Sequence, residues 1–388
     1  MNKLCINLPP LSPDYSGVCS ALYELGGMSI IHDASGCTGN YTGYDEPRWY
    51  GNQKLVFCSG LREIDAVLGD DKKFIRKVKQ AEEDLKPEFI AILGSPVPMV
   101  IGSDLIGIAK EIESETAIPT MGFNTTGLEY YDIGIQMAYR EIARTFLTEK
   151  MNTVSKSINL LGATPLDFYI NGNIKDIIRF FIEEGYNINS CWSMNSNLKQ
   201  IKLATRAELN VVLAISGLEL ARYLKKEFDI PYIVGLPIGQ SGETRVLNLL
   251  RGLNDNEKIQ RKTGNEKILI IGEQVFSNSL RYMLNEEYDK NDIDVATFFI
   301  MDQELSQGED FRIDSEFHLT KLLKDEKYNT IIGDPLIKAL LPQSNSINYI
   351  SIPHVAVSSK IHWNESIEFI GKKVYQILEK RGLCYEKI

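Results

Sequence analysis

The stretch Met28-Ser29-Ile30-Ile31-His32-Asp33-Ala34-Ser35-Gly36-Cys37 contains the transition that decides the fold. Its first half is a short, continuous apolar run, which predicts a strand buried on both faces. Its second half is a turn of small residues, and Cys37 follows the carboxyl end of the predicted strand. Strands of this type belong to parallel sheets that helices cover on both sides.

Similar apolar runs alternate with amphipathic segments along almost the whole chain. They predict strands at Met28–His32, Leu55–Cys58, Phe89–Leu93, Pro119–Phe123, Ser157–Leu161, Asn187–Cys191, Leu209–Ile215, Tyr232–Val234, Lys267–Ile271, Val295–Ile300, Thr330–Ile332 and Tyr349–Ile352. Helical patterns lie between many of these strands, at Lys73–Leu85, Ile106–Glu113, Gly134–Phe146, Ile174–Glu184, Gly217–Glu227, Ser277–Leu284 and Ile367–Lys380. We therefore predict an α/β fold of Rossmann-like units with mainly parallel sheets.

Two polar stretches, Thr148–Lys156 and Leu253–Glu266, divide this pattern into three parts. A chain of 388 residues is long enough for two or three domains. We predict three domains, at residues 1–150, 151–262 and 263–388, each within the usual size range.

The composition is that of a globular protein, with 44% hydrophobic and 24% charged residues. The 42 basic and 52 acidic residues give a net charge of −10, which argues against nucleic acid as a partner. No apolar run approaches the ~18 residues of a membrane span, and no signal-peptide core follows the N-terminal Lys3. We expect a soluble, cytoplasmic protein that does not bind membranes.

Several common motifs are absent from the sequence. It contains neither a Walker A sequence nor the dinucleotide-binding Gly-x-Gly-x-x-Gly. Gly272 follows a predicted strand, and Ser277 is a candidate cap for the next helix, so this connection is either an anion-binding turn or an ordinary loop. His354 follows the predicted strand Tyr349–Ile352 and is either a residue of a ligand crevice or a plain loop histidine.

Four of the six cysteines lie within the first 58 residues, and no pair has Cys-x-x-Cys spacing. This clustering indicates either a metal site or small buried apolar residues. Cys37, on a glycine-containing turn, is placed to be an exposed thiolate, the ligand type of iron–sulfur clusters. The alternative is an ordinary glycine-rich loop with a surface thiol. The aromatic residues that follow could shield such a site or form an interface; they are Tyr41, Tyr44, Trp49 and Tyr50.

Four stretches resemble the nitrogenase component 1-type oxidoreductases, a family that includes nitrogenase subunits, their cofactor scaffold proteins and the dark-operative tetrapyrrole reductases. They are Met28–Cys37, similar to the family's cluster loop; Arg62–Asp70, similar to its Glu-x-x-x-Val-x-Gly segment; Gly94–Leu105, whose end is similar to its Ile-Gly-Asp-Asp-Leu turn; and Thr120–Gly127. Weaker similarity continues to the C-terminus. The resemblance implies a nitrogenase component 1-like fold of three Rossmann-like domains.

The resemblance also implies a set of metal ligands, of which this chain carries only part. Cys37 matches a family cluster cysteine, whereas the family's first ligand falls near Ser12 to Asp14 and its third at Pro96. The position that holds the large catalytic cofactor falls near Ala214, which cannot ligate metal and argues against dinitrogen as the substrate. Cys58 and Cys19 are the further candidate ligands. We expect a [4Fe-4S] or larger nitrogenase-type cluster, shared across a subunit interface.

By the same resemblance, the expected function is that of a reductase subunit. It would form a homodimer or a heterodimer with a related subunit, receive electrons from an ATP-dependent, Fe protein-like reductase and reduce a small molecule. The alternatives are a non-catalytic scaffold for cluster or cofactor assembly, and a plain α/β binding protein with structural cysteines. Catalytic residues are not identified; the candidates for a pocket are Ser95, Asp104, His354 and Lys360.

Overall fold

The computed structural model describes residues 5–253, 266–324, 327–342 and 347–380. Within these residues the strands form three sheets, and every strand pairing inside the sheets is parallel. Helices surround the sheets, which confirms the predicted α/β class.

The first sheet has the strand order β2-β1-β3-β4. Its strands are β1 (Met28–Ile31), β2 (Val56–Cys58), β3 (Ile90–Leu93) and β4 (Thr120–Phe123). The helices of this part are α1 (Asp14–Leu22), α2 (Gly36–Asn40), α3 (Glu63–Leu68), α4 (Asp71–Leu85), α5 (Pro96–Ile101), α6 (Leu105–Thr116) and α7 (Tyr131–Phe146). Strands β1 and β3 are fully buried and pair directly, with Ile31 opposite Leu93.

The second sheet has the order β6-β5-β7-β8. Its strands are β5 (Ser157–Ala163), β6 (Asn187–Ser193), β7 (Leu209–Val212) and β8 (Tyr232–Val234). Its helices are α8 (Pro165–Phe168), α9 (Asn173–Glu183), α10 (Leu198–Lys202), α11 (Leu218–Phe228) and α12 (Gly239–Leu250).

The third sheet has the order β11-β10-β9-β12-β13. Its strands are β9 (Ile268–Ile271), β10 (Ile293–Thr297), β11 (Phe311–Arg312), β12 (Thr330–Gly333) and β13 (Asn348–Ser351). Its helices are α13 (Gln274–Tyr288), α14 (Glu316–Lys324), α15 (Val355–Ser358) and α16 (Lys373–Lys380).

All twelve predicted strands are present, with ends that differ by a few residues. The structure adds the two-residue edge strand β11 and the helices α1 and α12. The last helix begins at Lys373 and not at the predicted Ile367, because Gly371 adopts a left-handed conformation (φ 57°) that a continuous helix does not allow.

We propose three domains, one for each sheet. The polar stretch Thr148–Lys156 contains neither helix nor strand and separates α7 from β5, which supports the first boundary. The second predicted boundary, at residues 262/263, lies outside the described residues, as does Cys384.

Helices α1 and α7 pack against each other through two glycines. A Cβ atom on Gly17 would lie 1.9 Å from the carbonyl oxygen of Tyr131, and one on Gly134 would lie 1.9 Å from the carbonyl oxygen of Asp14. The two backbones are therefore in direct contact, and α1 is buried along its whole length. None of the helices in the described ranges combines the length and apolar character that a membrane crossing needs.

Candidate functional site

The turn after β1 is held by the carboxylate of Asp33. Its Oδ2 atom accepts hydrogen bonds from the backbone N–H groups of Ser35 (2.9 Å) and Cys37 (2.8 Å). These bonds satisfy N–H groups at the start of α2, which have no partner within the helix. Cys37 is therefore fixed in the first turn of α2, just beyond the carboxyl end of β1.

The Cys37 thiol is half-buried and is hydrogen-bonded to the side chains of Tyr15 and Ser95. Burial raises the pKa of the thiol, the Asp33 carboxylate raises it further, and the hydrogen bonds with Tyr15 and Ser95 lower it. Because the resulting pKa lies above the ordinary value, the sulfur is protonated at neutral pH in the metal-free chain. A metal cation would have to displace this proton, so metal binding at Cys37 is expected to release a proton.

Cys58 lies at the end of β2, directly beside β1. Its thiol donates a hydrogen bond to the backbone carbonyl of Asp33 (3.2 Å) and accepts one from the N–H of Gly60 (3.3 Å). Asp33 thus binds both candidate residues, the amide of Cys37 through its carboxylate and the thiol of Cys58 through its carbonyl. The structure brings these two cysteines to the same turn.

Cys19 lies elsewhere, on α1 in the hydrophobic core, where its side chain is 0% exposed. Burial raises the pKa of its thiol well above the ordinary value, and the nearby Glu46 raises it further. Its role as a ligand stays a prediction. In the described part of the chain, no group of three or more His, Cys, Asp or Glu side chains is arranged to hold a metal ion.

The other positions that match family ligands surround Cys37 but carry no sulfur. Asp14, which precedes Tyr15, accepts hydrogen bonds from the N–H groups of Thr126 and Gly127 (both 2.8 Å). A Cβ atom on Gly127 would lie 2.9 Å from Pro96 and 3.3 Å from Tyr15. These positions are therefore close neighbours. By itself the chain contributes thiols from Cys37 and Cys58 only, which is less than the four thiolates that a [4Fe-4S] cluster usually takes.

The Cys37 turn lies at the topological switch point of the first sheet. In the order β2-β1-β3-β4 the chain reverses direction between β1 and β3, and ligands in open parallel sheets bind at the carboxyl ends of the two strands next to that point. His32 follows β1 and Ser95 follows β3, and the Ser95 hydroxyl donates to the His32 carbonyl (3.0 Å). The location of Cys37 is that expected of a ligand-binding residue.

The loop that follows Cys37 is anchored by the buried side chain of Arg48. Its guanidinium donates to the carboxylates of Glu46 (2.7 Å) and Glu24 (3.0 Å) and to the backbone carbonyl of Ser20 (2.8 Å). The Tyr41 hydroxyl donates to the same Glu46 carboxylate (2.9 Å). The loop is therefore bound to α1 and to the turn behind it by charge-assisted hydrogen bonds. We call residues 33–50 the Cys37 loop.

A second candidate site lies where the switch points of the second and third sheets face each other. In the third sheet the reversal occurs between β9 and β12, and in the second between β5 and β7. A cavity of about 40 Å³ is lined by residues that end β9, β12 and β13 and by α8, which follows β5. We call it the inner cavity. Its walls are mainly apolar, and its ionisable side chains are those of Asp167, Glu273 and His354.

His354 and Asp167 form a hydrogen-bonded pair in the wall of the inner cavity. The His354 Nε2 atom lies 3.1 Å from Asp167 Oδ1, and the Tyr131 hydroxyl donates to the same carboxylate oxygen. The other ring nitrogen, Nδ1, is buried and has no hydrogen-bond partner in the described ranges. With Nε2–H directed at Asp167, Nδ1 is the nitrogen free to exchange a proton with a bound molecule. The structure therefore confirms the sequence prediction that His354 lines a crevice.

Glu273 occupies the amino end of α13. Its carboxylate accepts hydrogen bonds from the N–H groups of Val275 (3.0 Å), Phe276 (2.7 Å) and Ile215 (2.6 Å). Burial raises the pKa of the Glu273 carboxyl, and the nearby Asp167 raises it further.

The prediction that Ser277 caps this helix is wrong, because α13 begins at Gln274 and Glu273 is the cap. Since the Glu273 carboxylate already binds the helix's free N–H groups, the turn after Gly272 is not open to an external anion. Ala214, at the family's cofactor position, is buried next to Ile215 on this side of the inner cavity.

The remaining sequence candidates are spread over separate places. Ser95 contacts the Cys37 thiol. Asp104 caps α6 by accepting from the N–H of Gly107 (2.9 Å), and it lines a groove beside His32. Lys360 lies in another pocket, near Trp363.

Sequence reasoning did not identify Asp167 or Glu273. Each follows a strand within a few residues, which is the signal that could have identified it.

The similarity to known proteins agrees with this geometry. A family model described as "Nitrogenase component 1 type Oxidoreductase" matches residues 14–299. The chain belongs to this family. The match includes the Cys37 loop and the second sheet, and it ends inside the third part of the chain.

Curated relatives of the family are distant in sequence. The nitrogenase molybdenum-iron protein alpha chain of Methanosarcina barkeri is 23% identical over 61% of this chain and 46% of its own length. The iron-molybdenum cofactor biosynthesis protein NifE of the same organism is 24% identical over 53% and 47%. A subunit of the light-independent protochlorophyllide reductase of Porphyra purpurea is 26% identical over 44% and 36%. The matched part covers less than half of each of these relatives.

The fold is also that of a solved nitrogenase. A structure titled "Nitrogenase Cp1 at pH 5" superposes with a TM-score of 0.70 and 16% sequence identity, over 98% of this chain and 89% of that one. This likeness confirms the nitrogenase component 1-like fold.

Proposed function

We propose that the chain is a nitrogenase-like oxidoreductase subunit that binds an iron–sulfur cluster through Cys37. The observation that supports this most is the placement of Cys37 and Cys58 on the same turn, at the switch point of the first sheet. The Cys37 sulfur is partly exposed, so that it can reach a group bound outside the chain. In a cytoplasm, where thiols stay reduced, both cysteines are available as ligands.

We propose that the cluster lies at an interface between two subunits. Two thiols per chain become four in a twofold-symmetric dimer, which is the number a [4Fe-4S] cluster requires. Exposed apolar side chains on nearby helices support an interface here, since α5 directly follows Ser95. They are Val67 and Leu68 on α3, and Val97, Val100 and Ile101 on α5. A related subunit with its own cysteines would meet the same need.

The reaction that we propose is the reduction of a small molecule at the inner cavity. When bound, the cluster supplies single electrons at low potential, and a separate ATP-dependent, Fe protein-like reductase delivers them, since this chain contains no Walker A sequence. The chain's own contribution is a mainly apolar cavity with a proton-exchanging histidine, His354, held by Asp167. A volume of about 40 Å³ has room for about three water-sized groups, which favours a small substrate or the tip of a larger one.

The alternative is a scaffold for cluster or cofactor assembly, supported by the similarity to the cofactor biosynthesis protein NifE. The size of the inner cavity and the alanine at position 214 argue against storage of a large metal cofactor there. Turnover of a reducible substrate with an ATP-dependent reductase would favour the reductase over the scaffold.

The test of cluster binding is the iron and acid-labile sulfide content of anaerobically purified protein. We expect stoichiometric iron and sulfide in the wild type, loss of both in Cys37→Ala and partial loss in Cys58→Ala. The control is Cys5→Ala, which removes an exposed thiol on a different segment and should leave both unchanged. Iron absent from the wild type would reject the proposal. Iron retained in both variants would move the ligands to other cysteines, Cys19 first.

A further inference from the structure

A second, larger opening lies between the Cys37 loop and the inner cavity. Its volume is about 290 Å³, and its walls come from three separate segments. Tyr50 belongs to the Cys37 loop, Tyr169 and Ile170 follow α8, and Lys360 and Trp363 lie in the helical turn after α15. We call this opening the outer pocket. Since a cavity of about 150 Å³ holds benzene, the outer pocket has room for one or two fused rings.

Two aromatic side chains shape the outer pocket. The rings of Tyr50 and Trp363 have centroids 5.9 Å apart and are inclined by 71°. Tyr50 is 61% exposed, so its ring presents free surface. Flat, conjugated molecules bind to such surfaces by stacking. The walls therefore favour a planar ligand.

The polar groups of the outer pocket that matter most are hydrogen-bond donors. The Lys360 ammonium lies 2.8 Å from the Tyr50 hydroxyl, which itself donates to the carbonyl of Gly43 (3.1 Å). The tyrosine oxygen thus accepts one N–H of Lys360 and leaves the other two for a ligand.

The Trp363 indole N–H is buried and has no hydrogen-bond partner in the described part of the chain. A buried donor without a partner costs free energy, which a ligand with an acceptor group would recover.

No acidic side chain opposes this positive charge. The residues that line the outer pocket include no aspartate or glutamate, and none of the described acidic side chains forms an ion pair with Lys360. An ammonium and an indole N–H beside two aromatic rings fit a planar molecule with an anionic group, because charge-assisted hydrogen bonds are the strong ones.

The outer pocket adjoins both candidate sites. Tyr169 lines the outer pocket and the inner cavity, and Val355 in the outer pocket directly follows His354. The hydroxyl of Tyr169 donates to the carbonyl of Pro353. Its backbone has a φ of 57° and a ψ of −165°, a combination that side-chain-bearing residues rarely adopt and that persists at ligand sites when the surroundings enforce it. A ligand in the outer pocket would thus lie between the Cys37 loop and His354.

We propose that the outer pocket binds a monocyclic or bicyclic aromatic molecule that carries a carboxylate. The ring packs against Tyr50 and Trp363, and the carboxylate accepts hydrogen bonds from Lys360 and from the Trp363 indole. That such a molecule is the substrate rests on the function proposed above; its binding does not.

The test is isothermal titration calorimetry of the full chain with 1-naphthoate and its neutral isostere 1-naphthamide. We expect wild type to bind the acid about tenfold more tightly than the amide, the ratio that one charged hydrogen bond supplies. Lys360→Met keeps the chain length of an exposed side chain and should abolish this preference. Trp363→Phe should weaken both ligands. The matched control Lys338→Met, also exposed, should behave as wild type.

Equal affinity of the wild type for the acid and the amide, an unchanged preference in Lys360→Met, or no binding of 1-naphthoate at millimolar concentration would each overturn the proposal. Iron and sulfide are measured on the same preparations. Iron-free protein that binds 1-naphthoate with the expected preference would keep the outer pocket and reject the cluster. Iron-containing protein without this binding would do the reverse.

Discussion

At the scale of single residues, Asp33 does the most to shape the candidate cluster site. Its carboxylate holds the amide of Cys37, and its carbonyl accepts the thiol proton of Cys58. Its negative charge also raises the pKa of the Cys37 thiol. One residue therefore sets both the position of the sulfur and the ease with which it loses its proton.

Asp33→Ala should lower the free energy of unfolding by about 1–2 kcal/mol, as the loss of a helix-capping side chain does. It should also reduce iron retention, because the amide of Cys37 is no longer held. Asp33→Asn keeps an acceptor oxygen and should restore most of the stability. Because it removes a negative charge, it should also lower the pKa of Cys37. Urea unfolding, iron content and the pH dependence of iodoacetamide labelling measure these effects.

The control for this prediction is Asp104→Ala. Asp104 caps α6 in the same way, by accepting from the N–H of Gly107, but it makes no contact with Cys37. It should cost similar stability and leave the iron content unchanged. Equal iron loss in both alanine variants would mean that the effect comes from general destabilisation and not from the Cys37 turn.

At the scale of helices and strands, the contact between α1 and α7 positions the site, because α1 carries Tyr15 and receives the hydrogen bonds of Arg48. Gly17→Ala and Gly134→Ala place a methyl group 1.9 Å from a backbone oxygen of the facing helix. Since backbone cannot move aside as a side chain can, each should destabilise the protein by at least ~1–3 kcal/mol. Urea unfolding measures the change.

Gly39→Ala is the matched control for the two glycine substitutions. Gly39 lies in α2, and a Cβ atom there would meet nothing within 4 Å. It should be neutral or slightly stabilising, since alanine favours helix more than glycine does. If Gly17→Ala unfolded at the same urea concentration as Gly39→Ala, the two helices would not be in backbone contact.

The same helices show how far the sequence could predict the fold. The twelve strands were predictable because each is a continuous apolar run that carries its own signal. Helix α1 (Asp14-Tyr15-Ser16-Gly17-Val18-Cys19-Ser20-Ala21-Leu22) has no apolar stripe, because it is buried on every side and uses small residues for close contact. Such a pattern reflects its neighbours, which the local sequence does not encode.

The candidate sites divide in a similar way. Cys37, Cys58 and His354 could be predicted because each stands at the end of a recognisable strand. The pairing of His354 with Asp167, and the proximity of Glu273 to both, depend on how the second and third sheets face each other. The orientation of two sheets is a tertiary property, so the inner cavity could be identified only from the structure.

At the scale of the whole molecule, buried carboxyl groups connect the parts of the chain. Asp132 on α7 accepts a hydrogen bond from the N–H of Ile300, which follows the third sheet (2.6 Å), and burial raises the pKa of Asp132 to about 6. Asp45 in the Cys37 loop accepts from Ser12 (3.0 Å) and Ser16 (2.7 Å), and burial likewise raises its pKa to about 6. Folding therefore favours the protonated form of both groups.

The sign of the resulting pH dependence follows from linkage. Between the unfolded pKa of about 4 and the folded pKa near 6, the folded state binds more protons than the unfolded state, so stability falls as the pH rises. Other groups contribute in the opposite direction: burial lowers the pKa of His32, which adds stability as the pH rises toward 6.5. The total profile mixes these terms, whereas a comparison with one carboxyl removed isolates a single group.

Asp132→Asn removes the titration at that position and keeps an acceptor for Ile300. Because wild type must bury a charge above pH 6 and the variant does not, the stability of Asp132→Asn relative to wild type should increase from pH 4.5 to pH 7.5 by about 2 kcal/mol. Urea unfolding at several pH values measures the difference. Asp229→Asn, at an exposed position, should show no such trend. A flat difference for Asp132→Asn would mean that the carboxylate is already ionised in the folded protein at pH 4.5, and that the contact between α7 and the third sheet admits water.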